Sequence, residues 1–453
     1  MRGHLPRLIG LAGPVYGELL SGVVASVIGT FWVAGLGGSA VAAVTLAGTV
    51  ENLLLGLVLV VSSGTTVRLS RALGAGDPAA AGRTARAAWR LCAVGTLLLA
   101  VPGFLLREHL AGVFLDGAAA GLAADYFAVV FPAFGLFFGQ RVADELFKGA
   151  GDTRTPMRTA LLSNALLLLL DPLLILGPGP LPALGVTGAA LALTLSRAAA
   201  FSVTLLIRRR RRIPAPSGGT GSTMRGIVAA GAPLGLDFTA RMGVGTAQLG
   251  LVAAFGVPAV AGYGVGYRVL LIVTMSFYAV RQAAVIESAR LAGGGDTAAL
   301  RTLGRDTARL AAALGTGAAV LCAALAVPVT ALFTDDPAVA GEAVGFLRMA
   351  GLYLLPYAMV VALGGVYQAS GAGRPLVAAV LLGLGAQLGA GVALSGPLGV
   401  DGLWAGMTVG AVAQLVLMRL LVGRRPAAPA GAGAEWAAGG PAVPAERAPE
   451  MAD

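Results

Sequence analysis

Gly74-Ala-Gly-Asp77 and Gly293-Gly-Gly-Asp296 are two short loops, each closing one apolar stretch and opening the next. They lie 219 residues apart (293 − 74 and 296 − 77), and the same offset carries Pro14 onto Pro233 and Gly37 onto Gly256. One constant shift over these positions marks a duplicated unit. Later the offset drifts: Gly185-Val-Thr-Gly188 answers to Gly399-Val-Asp-Gly402, consistent with a shorter turn before the last span of the second copy.

The stretches between these loops are unusually apolar. Of 453 residues, 57% are hydrophobic and 12% charged, against roughly 25% charged in soluble domains. A bilayer-spanning helix needs about 20 apolar residues. Spans of that length fall near 8–33, 43–69, 88–106, 121–147, 156–177 and 185–207, then near 226–255, 260–286, 306–333, 338–367, 375–396 and 399–422. The sequence therefore predicts an all-α integral membrane fold with twelve transmembrane helices in two six-helix bundles. An even number of helices per copy gives both the same orientation, so the pseudo-two-fold relating them runs along the membrane normal.

The net charge of +10 does not point to nucleic acid, because the basic residues sit in alternate loops. One side carries Arg71 and Arg83, Lys148 and Arg154, the run Arg208 to Arg212, Arg290 and Arg301, Arg374, and Arg424 with Arg425; the opposite turns carry little beyond Arg107. By the positive-inside rule both termini are cytoplasmic, in a multi-pass cell-membrane protein. The first span lacks a cleavage site and is expected to be retained. Residues 1–207 form the N-terminal bundle, 208–225 a cytoplasmic basic linker, 226–423 the C-terminal bundle and 424–453 a disordered cytoplasmic tail. Cys92 and Cys322 lie inside apolar spans and set neither a disulfide framework nor a metal site.

Four stretches carry a family resemblance: RALGAGD at 71–77, KGAGDTRTP at 148–156, the Asn164 to Asp171-Pro172 segment, and GPLPALGVTGAALALTLSR at 179–197. In these the chain resembles the multidrug and toxic compound extrusion (MATE) family, part of a flippase superfamily. The resemblance implies a secondary active transporter that exports organic molecules by alternating access, in exchange for protons or sodium. Two positions depart from the family pattern. Gly29 stands where many members have a first-helix Asp, and Leu167 stands one turn before Asp171 where a second Asn is common.

Ionisable side chains in mid-span cost roughly 2.5–3.5 kcal/mol on insertion scales, so each calls for a role. Asp171 lies about fifteen residues into the fifth span, and Pro172 makes that point a hinge candidate. Asp171 with Asn164 is the leading candidate for ion coupling; the alternative is that Arg197, itself a candidate, holds the carboxylate. Glu18 and Asp237 each stand four residues after the repeated proline, and Asp237 has Arg241 at i+4 while Glu18 has no such local partner. Glu51 reads as an interfacial charge, and Arg141 with Glu145 and Asp144 with Lys148 as i,i+4 ion pairs. Phe127, Phe131, Phe134 and Phe138 form one stripe, which with Phe31, Tyr353 and Tyr357 provides candidates for lining a substrate cavity or, equally, for packing.

Enzymatic chemistry is not expected: there is no Walker A loop or nucleophile elbow, and the only histidines are His4 and His109. No cofactor or metal is expected, so transport against a gradient would draw on an ion gradient. A flippase for a lipid-linked anionic intermediate remains the nearer rival, with Arg197, Arg241, Arg268 and Arg348 as its basic residues. The expected partners are a small organic substrate, H+ or Na+, and membrane lipid, with the chain acting as a monomer.

Overall fold

The computed structural model describes residues 3–178, 182–210 and 221–422. Most of the expected basic linker and all of the expected disordered tail lie outside the described residues. Secondary structure among those described is entirely helical: α1 (Leu5–Ala34), α2 (Gly38–Gly74), α3 (Pro78–Leu105), α4 (Arg107–Phe114), α5 (Gly117–Gly149), α6 (Arg154–Leu176) and α7 (Gly185–Arg210) build one bundle. A second comprises α8 (Gly221–Ala253), α9 (Val257–Gly293), α10 (Thr297–Thr330), α11 (Pro337–Ala369), α12 (Gly373–Leu398) and α13 (Val400–Val422). Eleven of these are long and apolar enough to cross a membrane. The twelfth long helix, α8, carries Arg225, Asp237 and Arg241 along its 33 residues. In lipid every backbone amide must be satisfied within its own segment, which is why such spans are helical throughout.

One element was not expected. The turn after the third span folds into the eight-residue α4, with Leu110 and Ala111 turned inward against α5 and Val113 and Phe114 exposed. It opens on three consecutive polar residues, Arg107, Glu108 and His109, and the apolar remainder to Phe114 is too short to register as a span.

The repeated loop motif has a separate physical use for each residue. Asp77 caps the N-terminus of α3 by accepting from the Ala80 amide at 2.8 Å, and Asp296 does the same for α10 at Ala299, also at 2.8 Å. Such caps contribute about 1 kcal/mol each. Gly76 (φ 69°) and Gly295 (φ 74°) take the left-handed turn that leads into each cap. Gly74 and Gly293 mark where α2 crosses α9. A Cβ at Gly74 would fall 2.0 Å from the Arg290 carbonyl oxygen, and one at Gly293 would fall 2.0 Å from that of Arg71. Adding 219 to Gly74 and subtracting 219 from Arg290 turns one contact into the other, as a two-fold axis between α2 and α9 requires.

This crossing belongs to a seal at the basic-loop end of the molecule. There α2 and α8 also touch backbone to backbone, with Gly64 against the Ile227 carbonyl and Gly231 against that of Val60. Polar bonds between the bundles gather on the same half. Arg7 Nε meets Glu287 Oε2 at 2.9 Å, the His4 amide donates to Asp306 at 2.8 Å, Arg71 donates to the Ala369 carbonyl at 2.8 Å, and Gln368 donates to Ser63 at 2.8 Å. Toward the opposite end no hydrogen bond or ion pair joins the bundles among the described residues. The polar bonds and backbone contacts that close the molecule thus lie on the basic-loop side.

A candidate functional site inside the N-terminal bundle

A cavity of about 600 Å³ runs through the N-terminal bundle between α1, α2, α5, α6 and α7. Its wall carries four carboxylates, Glu18, Glu51, Asp144 and Asp171, and two guanidinium groups, Arg141 and Arg197. Small residues make the space: Gly22, Ala25, Ser26 and Gly29 of α1 face Ser163, Asn164 and Asp171 of α6 across it.

Asp171 is 3% exposed and has no hydrogen-bond or ion-pair partner among the described residues. It lies five residues before the end of α6 at Leu176, nearer the outer end than the expected mid-span position, because α6 ends soon after Pro172. Pro172 remains inside the helix, which continues to a left-handed C-cap at Gly177. Opposite stands Gly29, where an added Cβ would sit 3.4 Å from Asp171 Oδ2. The two positions therefore face each other, with room at Gly29 for no more than an ordinary contact to the Asp171 carboxylate. Asn164, on the same helix face, donates to Ser21 Oγ at 2.8 Å.

Arg197 does not hold Asp171. Its guanidinium lies 3.9 Å from Glu51 and stacks 4.6 Å from the Phe137 ring centroid, since α7 carries it toward α2 and α5 rather than toward α6. Glu51 is accordingly a wall residue and not an interfacial charge; it also accepts from the Tyr126 hydroxyl at 3.2 Å. Glu18, which lacks a partner on its own helix, acquires two from α5: Lys148 at 3.0 Å and Arg141 at 3.7 Å. The expected i,i+4 pairs on α5 are replaced. Lys148 turns to Glu145 at i,i+3, 3.1 Å, and Asp144 accepts from Gln140 at 2.7 Å. Lys148 sits between Glu145 on its own helix and Glu18, which α1 packs close enough to offer as a second carboxylate.

The aromatic stripe packs instead of lining this cavity. Phe127, Phe131 and Phe138 are at most 4% exposed and fill the bundle interior, Phe131 and Phe138 seated on Gly103 and Gly95 of α3. Phe134 reaches only a separate crevice of about 30 Å³. Phe31 is 69% exposed and lies outside the enclosed space, edge-on to Trp32. The rings that do face the cavity are Phe137, one residue off the stripe, and Tyr126.

The equivalent region of the C-terminal bundle is filled. Asp237 is clamped by Arg241 at 2.7 Å and Arg281 at 3.2 Å, so its expected i,i+4 pair forms and a second arginine joins it. Arg241 also reaches Gln414 at 3.0 Å and lies over Tyr357, which stacks on Tyr353 with centroids 4.7 Å apart. Tyr357, backed by Tyr353, therefore seats a cation already built into the protein. No group of three or more His, Cys, Asp or Glu side chains arranged to hold a metal occurs among the described residues.

The MatE family model matches residues 14–173 and again 233–392, the same 219-residue shift that the loops display. The chain belongs to the MatE family. Membership places it among membrane transporters rather than enzymes. It is 30% identical over 425 residues to the "Probable multidrug resistance protein NorM" of Deinococcus radiodurans, covering 90% of this chain and 92% of that one. The protein of the same name from Thermotoga maritima is 26% identical over 374 residues, covering 81% and 80%. Among solved structures, a MATE transporter in complex with MaL6 superposes with a TM-score of 0.87 at 20% identity, over 93% of this chain and 96% of that one. An outward-facing multidrug resistance MATE transporter gives 0.86 at 21%, with the same coverage. At such identities the likeness speaks to the fold, and it is that of twelve-helix MATE transporters.

Proposed function

We propose that this MatE protein exports organic cations or amphipathic drugs and metabolites by antiport against protons or sodium, alternating access between its two faces. The observation that carries this reading is the unpartnered carboxylate of Asp171 at a 600 Å³ cavity in the N-terminal bundle of a molecule whose two bundles are sealed together at one end. A lone buried carboxylate favours a cation beside it, and that cation is either the substrate's own charge or the coupling ion. Competition between the two for one site is what antiport needs. The relatives' description as multidrug resistance proteins supports the substrate class. Basic loops on the sealed side support an orientation with both termini cytoplasmic and the opposite face outward.

The four arginines weighed for an anionic lipid intermediate offer that ligand little. Arg197 and Arg241 lie beside carboxylates of their own bundles, and Arg268 and Arg348 are exposed on the surface. The test is efflux of a lipophilic cationic dye from energised cells, comparing the native chain with Asp171→Asn and varying the proton and sodium gradients. Gradient-dependent efflux that vanishes in the variant is the expected outcome. Undiminished, equally gradient-dependent efflux in Asp171→Asn would remove Asp171 from the cycle.

A further inference from the structure

Below Asp171, where the cavity floor meets the sealed end, a chain of polar contacts runs from the cavity to the opposite bundle. Glu18, 7% exposed, uses Oε1 for both Lys148 and Arg141, while its Oε2 is buried without a hydrogen-bond partner. The Lys148 ammonium is shared between Glu18 and Glu145 Oε1. Glu145 Oε2 accepts from Thr66 of α2 and, at 2.8 Å, from the side-chain amide of Gln282 on α9 of the C-terminal bundle. That last bond ties the two bundles together.

Carboxyl groups outnumber basic groups around this chain. Glu18 of α1 and Asp144 and Glu145 of α5 are three carboxylates; Arg141 and Lys148 are two cations. At these contacts α2 and α9 contribute only the neutral Thr66 and Gln282, and α6 offers Met157 against the turn of α1 at Gly17. The third carboxylate, Asp144, is held by the Gln140 amide at 2.7 Å, and Glu18, a residue of the cavity wall, keeps its orphaned Oε2 buried.

We propose that Glu18 is a second site for a monovalent cation, and that Lys148 links its occupancy to the Glu145–Gln282 bond between the bundles. This rests on the antiport reading. A proton or sodium ion entering from the face opposite the seal is taken by Glu18 Oε2. Lys148, no longer shared, is left wholly to Glu145 and matches its charge. The Gln282 amide then donates to a neutralised partner and holds less strongly, since hydrogen bonds to charged groups are about twice as strong as neutral ones. A cation arriving from the face opposite the seal thereby loosens that seal, the order of events an exporter needs to return for its next substrate.

The experiment places spin labels at Ala79 and Ala298, exposed and equivalent positions (298 − 79 = 219) at the starts of α3 and α10. Their separation is measured in nanodiscs holding the full chain as proton or sodium concentration rises, with cation-driven efflux measured in parallel in proteoliposomes. In the native chain added cation should lengthen the distance. Lys148→Met should abolish that response and Lys148→Arg restore it at least in part. Gln282→Leu, on the other bundle, should raise the open-to-closed ratio by roughly tenfold without added cation. If Lys148→Met responds like the native chain, or Gln282→Leu stays closed, while cation-driven efflux persists, the link is wrong and antiport stands. A native chain that neither opens nor exports in response to either cation overturns both.

Discussion

Replacing Gly231 by alanine adds one methyl group where α8 presses on α2. Its Cβ would lie 1.7 Å from the Val60 carbonyl oxygen and 2.8 Å from the Gly64 amide nitrogen. Ordinary contact at such a position begins near 3.4 Å, so the helices must part by about 1.7 Å (3.4 − 1.7) in the sealed state. Neither neighbour is a flexible side-chain end, so the strain has no cheap outlet. Overpacking of this kind costs about 1–3 kcal/mol. The contact belongs to the seal between bundles, so the cost falls on the sealed conformation and not on the bundles themselves. An equilibrium between two access states then shifts by a factor of about 5 to 150 toward opening at the basic-loop end. The assay is the rate at which a membrane-impermeant thiol reagent modifies cysteines placed on the α2 and α9 faces of the seal, in native and Gly231→Ala backgrounds. Gly250→Ala on the same helix, with nothing within 4 Å, is the control. Unchanged protection in Gly231→Ala would show that the seal does not depend on this backbone contact.

Further outcomes follow from the cavity and its counterpart. Gly29→Leu should keep the melting temperature, because its Cβ finds ordinary space, yet cover the Asp171 carboxylate and suppress cation-dependent efflux; unaltered ion dependence would separate the two positions functionally. Asp237→Asn leaves Arg241 and Arg281 without a carboxylate in a filled interior and should cost roughly 3–5 kcal/mol, read as a lowered melting temperature in detergent, whereas a change of less than about 1 kcal/mol would mean the clamp is screened. Phe137→Leu should change relative efflux rates across a panel of dyes at similar stability, while Phe127→Leu should lower stability and leave the profile alone; the reverse pattern would return the buried stripe to the cavity.

How much of the site could be read in advance depended on how far apart in the chain its partners lie. Asp237 with Arg241 was legible because both stand on one helix at i,i+4, a spacing that dictates contact whatever surrounds it. Glu18 with Lys148 was not, since 130 residues separate them and only the packing of α1 on α5 brings them together. The same holds for Gln282, a neutral side chain with no signal of its own until α9 meets Glu145. For the aromatics the stripe was correctly spaced, but helix rotation within the bundle decides which face meets the cavity. One residue of difference, Phe137 for Phe138, turns a ring by about 100° on a helix with 3.6 residues per turn.

The sequence by itself determined the membrane-spanning class, the twelve long helices, the duplication at 219 residues and the charge asymmetry between the two faces. Each follows from hydropathy, spacing or loop composition, which act within one segment or between copies of it. It also marked the Gly-x-Gly-Asp loops, whose caps and turns are local. Only the tertiary structure decided that the bundles are sealed at the basic-loop end, that the cavity lies in the N-terminal bundle while Arg241 and the tyrosines fill its counterpart, and that Asp171 stands unpartnered across from Gly29. Those outcomes turn on which faces of distant helices meet and how closely, and in a bilayer that is set by side-chain packing and buried polar contacts between segments rather than by the apolar character they share.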